Sequence, residues 1–554
     1  MDKKTAAVLL ANLLERIERD HTIGTVSSYE QQALRVAVQA LEDDGVTPVV
    51  QPLVVAKPTG TSAESPHITL ELLSIQRGEE TTPDVLMCLD FGTAMSKAFA
   101  SVFPDDQHLD LELGVAAGRE GYSLPSSVFI ADNGKAYFGF EAIDVSQDLE
   151  SQGRERLDSI KSWISLQQEE VSLDGEANLL SKAMNPSGVK LTKGDLLCIY
   201  LAYFTDVAEK ALMVHVADSR YVKRRYARPC WRDNKAEQNN NLMRRMLAEA
   251  QVLADTFSGR WAGGIHVAEL KAAVEQIKKL DKRPDYLIDE GVPEPVAVAA
   301  GAIADSENLR DAFMVVDVGA GTTDFGLFIS TRKPGSDEPR VFQIPASIHG
   351  LMQAGDKVDG LLRGFIAQKE SIDPSDSPSK LILANLSRQI RSLKEVLFKT
   401  GELEYTLSDD TVGKIRLEDF LADERVVRFG QAVERGFKEA LGAVNESWLR
   451  WLAMDGVCLH VVLTGGSSPL PMMQALGKGL IEVGEYRIMR QSVNPKPDWM
   501  DDMPDELLTV YPQLAVAIGG AAEIIPETND APLVFHGGVR TPSYVADNIH
   551  VGGK

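Results

Sequence analysis

Cysteine is scarce in this 554-residue chain, and its four copies, Cys88, Cys198, Cys230 and Cys458, lie far apart. There is no CxxC pair and no His/Cys cluster at zinc spacing, so neither a zinc module nor a disulfide framework organises the fold. Reduced thiols in a cytoplasmic protein are the expectation. Long apolar runs are also missing, and nothing approaches the ~18 residues that span a bilayer. Positive charge is in deficit: 57 Lys and Arg face 81 Asp and Glu, a formal net charge of −24. Such a field repels phosphate polymers and anionic membranes, so neither nucleic acid nor a membrane is the expected partner. A GxxxxGK[ST] loop is absent, which excludes a P-loop enzyme, and GAGTTDFG at 319–326 departs from the GxGxxG spacing of dinucleotide folds.

What is present is the balance of an ordinary globular protein, 44% hydrophobic and 25% charged. The length allows about three or four compact units. The opening MDKKTAAVLLANLLERIERD carries Val8, Leu9, Leu13 and Ile17 at helical spacing and no small-residue cleavage site, so an amphipathic helix is expected rather than a signal peptide. A second helix is expected from about Ser28 to Asp43. Residues 1–48 thus read as a helical hairpin too small to bury a core alone, suited to docking a protein partner. Residues 49–83, rich in Pro, Thr, Ser and Gly, read as a linker, and 526–554 as a tail.

From Asp84 the chain reads strand, Gly-containing turn, strand, in VLMCLDFGT and KAFASVFP. The same pattern returns at Phe313 in FMVVDVGAGTTDFGLFI. A repeat over 200 residues apart suggests two related α/β lobes, 84–310 and 311–525. Helices are expected at Asp195–Val214, Asn239–Asp255, Ser379–Lys399 and Arg428–Leu452, with a buried strand in LHVVLTGG.

A strand that ends in aspartate before a turn of Gly and Thr puts a carboxylate beside exposed main-chain N–H groups and a hydroxyl. That combination suits a magnesium-bound phosphate. Asp90, Gly92 and Thr93 supply it once; Asp317, Gly319, Gly321, Thr322, Thr323 and Asp324 supply it again. The glycines let the main chain approach phosphate oxygens closely. A third element, TGGSSPLPMM, is expected to lay an adenosine against Gly465, Gly466 and Ser467, with the following helix N-terminus favouring a phosphate.

These motifs resemble, in order and over roughly Asp84 to Ile525, the nucleotide-binding part of the 70-kDa heat-shock chaperones, within the actin, hexokinase and heat-shock ATPase superfamily. DFGTA and DVGAGTTDFG resemble the two phosphate motifs, and LPSSVFIADNGKAYFG the segment after the first. PEPVAVAAGA and PQLAVAIGGAA resemble the two connecting motifs, and TGGSSPLP the adenosine motif. The resemblance implies a two-lobed actin-like ATPase fold of duplicated ribonuclease-H-like lobes that binds ATP or ADP with Mg2+ in the cleft. It makes Asp90 and Asp317 the carboxylates around the Mg2+ water shell, with Thr93 and Thr322 near the β- and γ-phosphates. Glu294 is placed beside the attacking water, Lys161 at the γ-phosphate, Asp324 in the second turn and Lys394 near the ribose. Asp356 and Asp359 are expected to be structural. Two positions depart from the family: Pro469 stands where an adenine-stacking arginine is expected, and Arg391 replaces an acidic residue. The implied activity is a slow, chaperone-like ATPase switch acting on a protein client or regulatory partner without the family's peptide-binding domain. The alternatives are an actin-like filament protein, a small-molecule kinase and a non-hydrolysing nucleotide-binding scaffold.

Two charged runs remain. The basic run from Tyr221 to Arg232, holding Lys223, Arg224, Arg225, Arg228 and Arg232, is expected to contact a partner or the other lobe rather than RNA. The acidic stretch Asp498 to Glu506 is expected to be a solvated loop.

Overall fold

The computed structural model describes residues 68–104, 107–149, 154–165, 172–231, 233–303, 310–332 and 339–528. The expected hairpin at 1–48, the linker up to residue 67, Arg232 and the tail beyond Thr528 lie outside them. The described chain is mixed α/β, built on two large sheets. No helix among the described residues is long and apolar enough to cross a membrane.

The first sheet holds β1 (Thr82–Asp90), β2 (Met95–Val102), β3 (Gln107–Asp110), β4 (Val222–Arg228) and β5 (Ile288–Pro293) in the order β3-β2-β1-β4-β5. In the second, β6 (Arg310–Val318), β7 (Thr323–Arg332), β8 (Pro339–Leu351), β9 (Leu459–Thr464) and β10 (Tyr486–Val493) run β8-β7-β6-β9-β10. Within each set the first three strands are antiparallel, and the last two join in parallel, β4 on β1 and β9 on β6. The two sheets therefore repeat one strand order. The second gains an edge strand, Lys478–Val483, beside β10.

Why these strands read as continuous apolar runs follows from what covers them, since a sheet buried on both faces needs apolar residues on both. Met87 and Leu89 of β1 enter one core with α1 (Lys193–Leu212), α2 (Asp233–Phe257) and α3 (Val267–Ile277), while Cys88 between them enters another. Met314 and Val316 of β6 likewise join α5 (Gly355–Lys369), α6 (Ser377–Thr400) and α7 (Glu424–Gly442), while Phe313 and Val315 turn the other way. The shared middle core is filled by two helices, α4 (Glu294–Ala302) and α8 (Asp505–Gly520), so helices and sheets alternate in five layers. α4 follows β5 directly, and α8 follows β10 after a short 3-10 turn.

Local chemistry sets the helix ends. Thr192 and Asp195 form a capping box that starts α1 two residues before the expected Asp195. Gly401, at φ +80, ends α6. The helix expected over Arg428–Leu452 is two helices, because the Asn445 side chain accepts from Ser447 N and caps a new one at Glu446–Leu452.

Several expectations change. The stretch at 68–81, expected as linker, is docked: Ser74 Oγ donates to Asp255 Oδ2 at 2.6 Å, and Tyr286 donates to Ser74 O at 2.7 Å. The basic run is not a surface patch but the interior strand β4. Arg224 is 1% exposed and binds Glu209 and Gln251, and Arg225 makes a contact of the expected kind with the 311–525 segment, donating to Ala522 O beyond α8. The acidic stretch is solvated as expected, with Asp498, Asp501, Asp502, Asp505 and Glu506 all exposed, but it is not a loop: Asp498–Asp502 forms a 3-10 turn around the buried Met500, and Asp505 and Glu506 open α8. At the start of the expected tail, Glu527–Thr528 pairs with β8.

Where α4 crosses α8, the helices touch main chain to main chain. A Cβ on Gly519 would lie 1.8 Å from Ala297 O. Gly519→Ala should therefore cost about 1–3 kcal/mol by overpacking. Gly360→Ala, on an exposed face of α5 with nothing within 4 Å, should instead stabilise by about 0.5–1 kcal/mol. Urea denaturation of both variants checks the contrast, and a neutral Gly519→Ala would refute the close crossing.

Candidate functional site

Between β1 and β2 the chain reverses through Phe91–Ala94. A Cβ on Gly92 would sit 1.9 Å from Met95 O, so only glycine permits this turn. Ser126, from the LPSSVF segment, clamps it by donating its hydroxyl to Gly92 O (2.7 Å) and its N–H to Ala94 O (2.9 Å). The equivalent turn between β6 and β7 closes with Gly319 N on Thr322 O at 3.0 Å. For the N–H groups of Ala320, Gly321 and Thr322 there is no main-chain acceptor among the described residues. The two turns meet: a Cβ on Gly321 would stand 3.0 Å from Thr93 Oγ1.

A third turn follows β9. Gly465, at φ +85, donates to Pro512 O at 2.6 Å, and a Cβ there would fall 2.3 Å from Val318 O. Ser467 N donates to Val318 O, and Asp356 N at the start of α5 donates to Ala320 O, so the third turn and α5 brace the second turn. The helix after the third turn is only Pro471–Gln474, too short to supply the expected helix-end field.

These turns open on one cleft of about 620 Å³, a volume that suits a small-molecule ligand. Its lining includes Asp90, Gly92, Thr93, Lys161, Glu294, Asp317, Gly319, Thr322, Lys394, Gly465, Gly466 and Ser467. Gly321 and Thr323 do not line it. Thr323 is fully buried and donates to Gln353 O at 2.7 Å, so its role is to fix the turn rather than to hold a ligand. Lys394 faces the cleft wall but is engaged by Asp359 at 2.7 Å, and Arg391 by Asp356 at 3.2 Å. A second cavity of about 730 Å³ shares Ala94, Met95 and Arg391 with it and is lined by none of Asp90, Glu294, Asp317 and Asp324.

At the floor, charge is crowded. Asp90 ends β1 and Asp317 sits one residue before the end of β6; both are buried, as are Glu294 and Asp324. Cross-strand pairing makes the two halves unequal. Asp90 lies opposite Lys97, whose Nζ is 3.2 Å from it, whereas Asp317 lies opposite Asp324. Burial, with Glu294 and Asp90 nearby, pushes Asp317 up to about 7 although Thr464 donates to it at 3.0 Å. Burial and Glu294 push Asp324 up to about 8. Lys161 forms a buried ion pair with Glu294 and also faces Asp90 and Asp324; burial works against its charge, yet these carboxylates raise its pKa.

Sequence reading did not single out Lys97, Thr464, Ser126 or Phe398. The first two are cross-strand neighbours of the aspartates, a relation set by register, and Ser126 acts through the fold. Phe398 shares with Arg391 and Lys394 a three- and four-residue spacing along α6, which is the one signal that points to it.

The folded chain holds protons on Asp317 and Asp324 that the unfolded chain releases near the ordinary 3.8. Their contribution to stability is thus complete below that value and lost as pH rises through 7 to 8, by up to about 1.4 kcal/mol per pH unit per carboxyl. Asp317→Asn should flatten this fall, as urea midpoints across that range will show; an unchanged slope would refute the shift. No protein-family model and no curated protein matches the chain.

Proposed function

We propose that the chain is a chaperone-like ATPase switch of the two-lobed actin-like kind, binding Mg-ATP between its two sheets. One observation carries this reading. Two turns from equivalent positions of a repeated strand order face each other across a single cleft, and the buried Lys161–Glu294 pair stands at the same floor. The duplicated order β3-β2-β1-β4-β5 supports two ribonuclease-H-like lobes.

The residues fit the ligand. Free N–H groups in the second turn and the glycine at each turn leave room and donors for phosphate oxygens. Among the described residues the four buried carboxylates have Lys97 and Lys161 as their main counter-charges, and that surplus negative charge suits a divalent cation held mostly through water. Mg2+, when bound, neutralises charge on the phosphates and on Asp90 and Asp317. Lys161 exchanges Glu294 for the γ-phosphate and stabilises its developing charge. Glu294, released from that pair, orients the attacking water and accepts its proton. Thr93 and Thr322 position the phosphates from opposite sides.

Coupling to a partner follows from where the ligand sits. A triphosphate bridges both turns and favours the closed arrangement; loss of the γ-phosphate removes contacts to one turn and lets the open arrangement gain population. The partner is a protein, read through residues 1–48 or the lobe surfaces.

Phosphate release from Mg-ATP under single-turnover conditions tests the reading. A slow rate is expected, lowered about 100-fold or more by Lys161→Ala or Glu294→Gln and abolished by Asp317→Asn. Binding without release would leave a nucleotide-gated scaffold and remove the roles given to Lys161 and Glu294. Pelleting of Mg-ATP-dependent polymers would favour an actin-like filament instead.

A further inference from the structure

The two ends of the cleft differ in chemistry. At the floor lie the carboxylates and the turns. Along the wall, α6 presents Arg391, Lys394, Glu395, Phe398 and Lys399 on one face. The first two are engaged by Asp356 and Asp359. Beyond them the lining turns apolar, with Phe398, Leu417, Pro469, Leu470 and Pro471. Phe398 is half-buried in the second core, and its ring stands edge to face with Phe420 at 6.2 Å and 86°, so packing holds its orientation. The charged side chains at this end, Glu395 and Lys399, are exposed and form no ion pair among the described residues.

With the phosphates at the floor, the base of a nucleotide reaches this apolar end. A surface that holds a base by stacking tolerates every base, because each has a π-face. Strong discrimination arises only where buried polar groups are left unpaired by the wrong base. Apart from Lys394, one turn from Phe398 and already engaged by Asp359, no buried hydrogen-bonding side chain among the described residues lines this end. The carboxylate of Glu395 offers acceptors only. The N1–H and N2–H₂ donors of guanine match it, whereas adenine sets its ring N1 acceptor beside a single donor.

Resting on the nucleotide reading above, we infer that this end binds the base by stacking on Phe398 and does not select adenine. The substrate class is then nucleoside triphosphates rather than adenine nucleotides alone, with guanine nucleotides accepted as well as adenine ones and Glu395 engaging the guanine edge.

Competition against a fluorescent purine nucleotide, with the full chain and Mg2+, tests this using ATP, GTP and tripolyphosphate, which lacks a base. ATP and GTP should bind within about tenfold of each other, and both more tightly than tripolyphosphate. Phe398→Leu keeps the apolar packing but removes the aromatic face; it should weaken both nucleotides about tenfold and leave tripolyphosphate unchanged. Glu395→Gln should weaken GTP alone. A preference for ATP of about 100-fold or more, or a Phe398→Leu variant that binds all three as before, overturns the inference. Tripolyphosphate binding as tightly as ATP overturns it too, while leaving the phosphate reading intact. Failure of all three to bind overturns both.

Discussion

Asp90, Glu294, Asp317 and Asp324 occupy one water-poor floor with Lys97 and Lys161 as their main counter-charges, and most of the architecture serves that crowding. Burying an unpaired carboxylate is costly, so three of the four are held by a specific partner, Lys97 for Asp90, Thr464 for Asp317 and Lys161 for Glu294, while Asp324 keeps a buried Oδ2 that has no hydrogen-bond partner among the described residues. The remaining imbalance appears as raised carboxyl pKa values on the side where aspartate faces aspartate. The cation proposed for this floor would relieve that imbalance, because metal entry and proton release are linked.

Glycine is what lets so much charge converge. Gly92 folds the first turn back on Met95, Gly465 presses the third turn onto Val318, and Gly321 leaves room for Thr93. The same economy of volume recurs in the middle layer, where Gly519 brings α8 against the carbonyl of Ala297 in α4. Glu294 is the first residue of α4, so the carboxylate at the floor and the helix crossing belong to one short element. Any change in how α4 meets α8 therefore moves Glu294 directly, and Arg225 reaching Ala522 O adds a further tie across the sheets.

The outer end of the cleft shows the opposite design. Its charged side chains Glu395 and Lys399 are solvated, while Leu470 is buried and Phe398 and Leu417 are half-buried. Arg391 turns to Asp356, and Pro469 belongs to the apolar lip.

The amino-acid sequence by itself determined the strand-turn-strand units, the repeat, the main helices and the turn glycines. Each of these depends on near neighbours: a continuous apolar run, an aspartate at a strand end, a glycine where a Cβ would clash. The resemblance carried this further, to Lys161 and Glu294, which lie 133 positions apart and pair in the structure. Tertiary structure alone decided the rest. Arg224 looked like surface charge until β4 was seen to be an interior strand, with Glu209 and Gln251 waiting for it. Thr323 looked like a ligand group until register buried it against Gln353. Lys97 and Thr464 gained their roles only from cross-strand register and strand order, and Phe398 only from the packing of α6. Local geometry is written in adjacent residues; the partner of a buried charge is set by which distant strand arrives beside it.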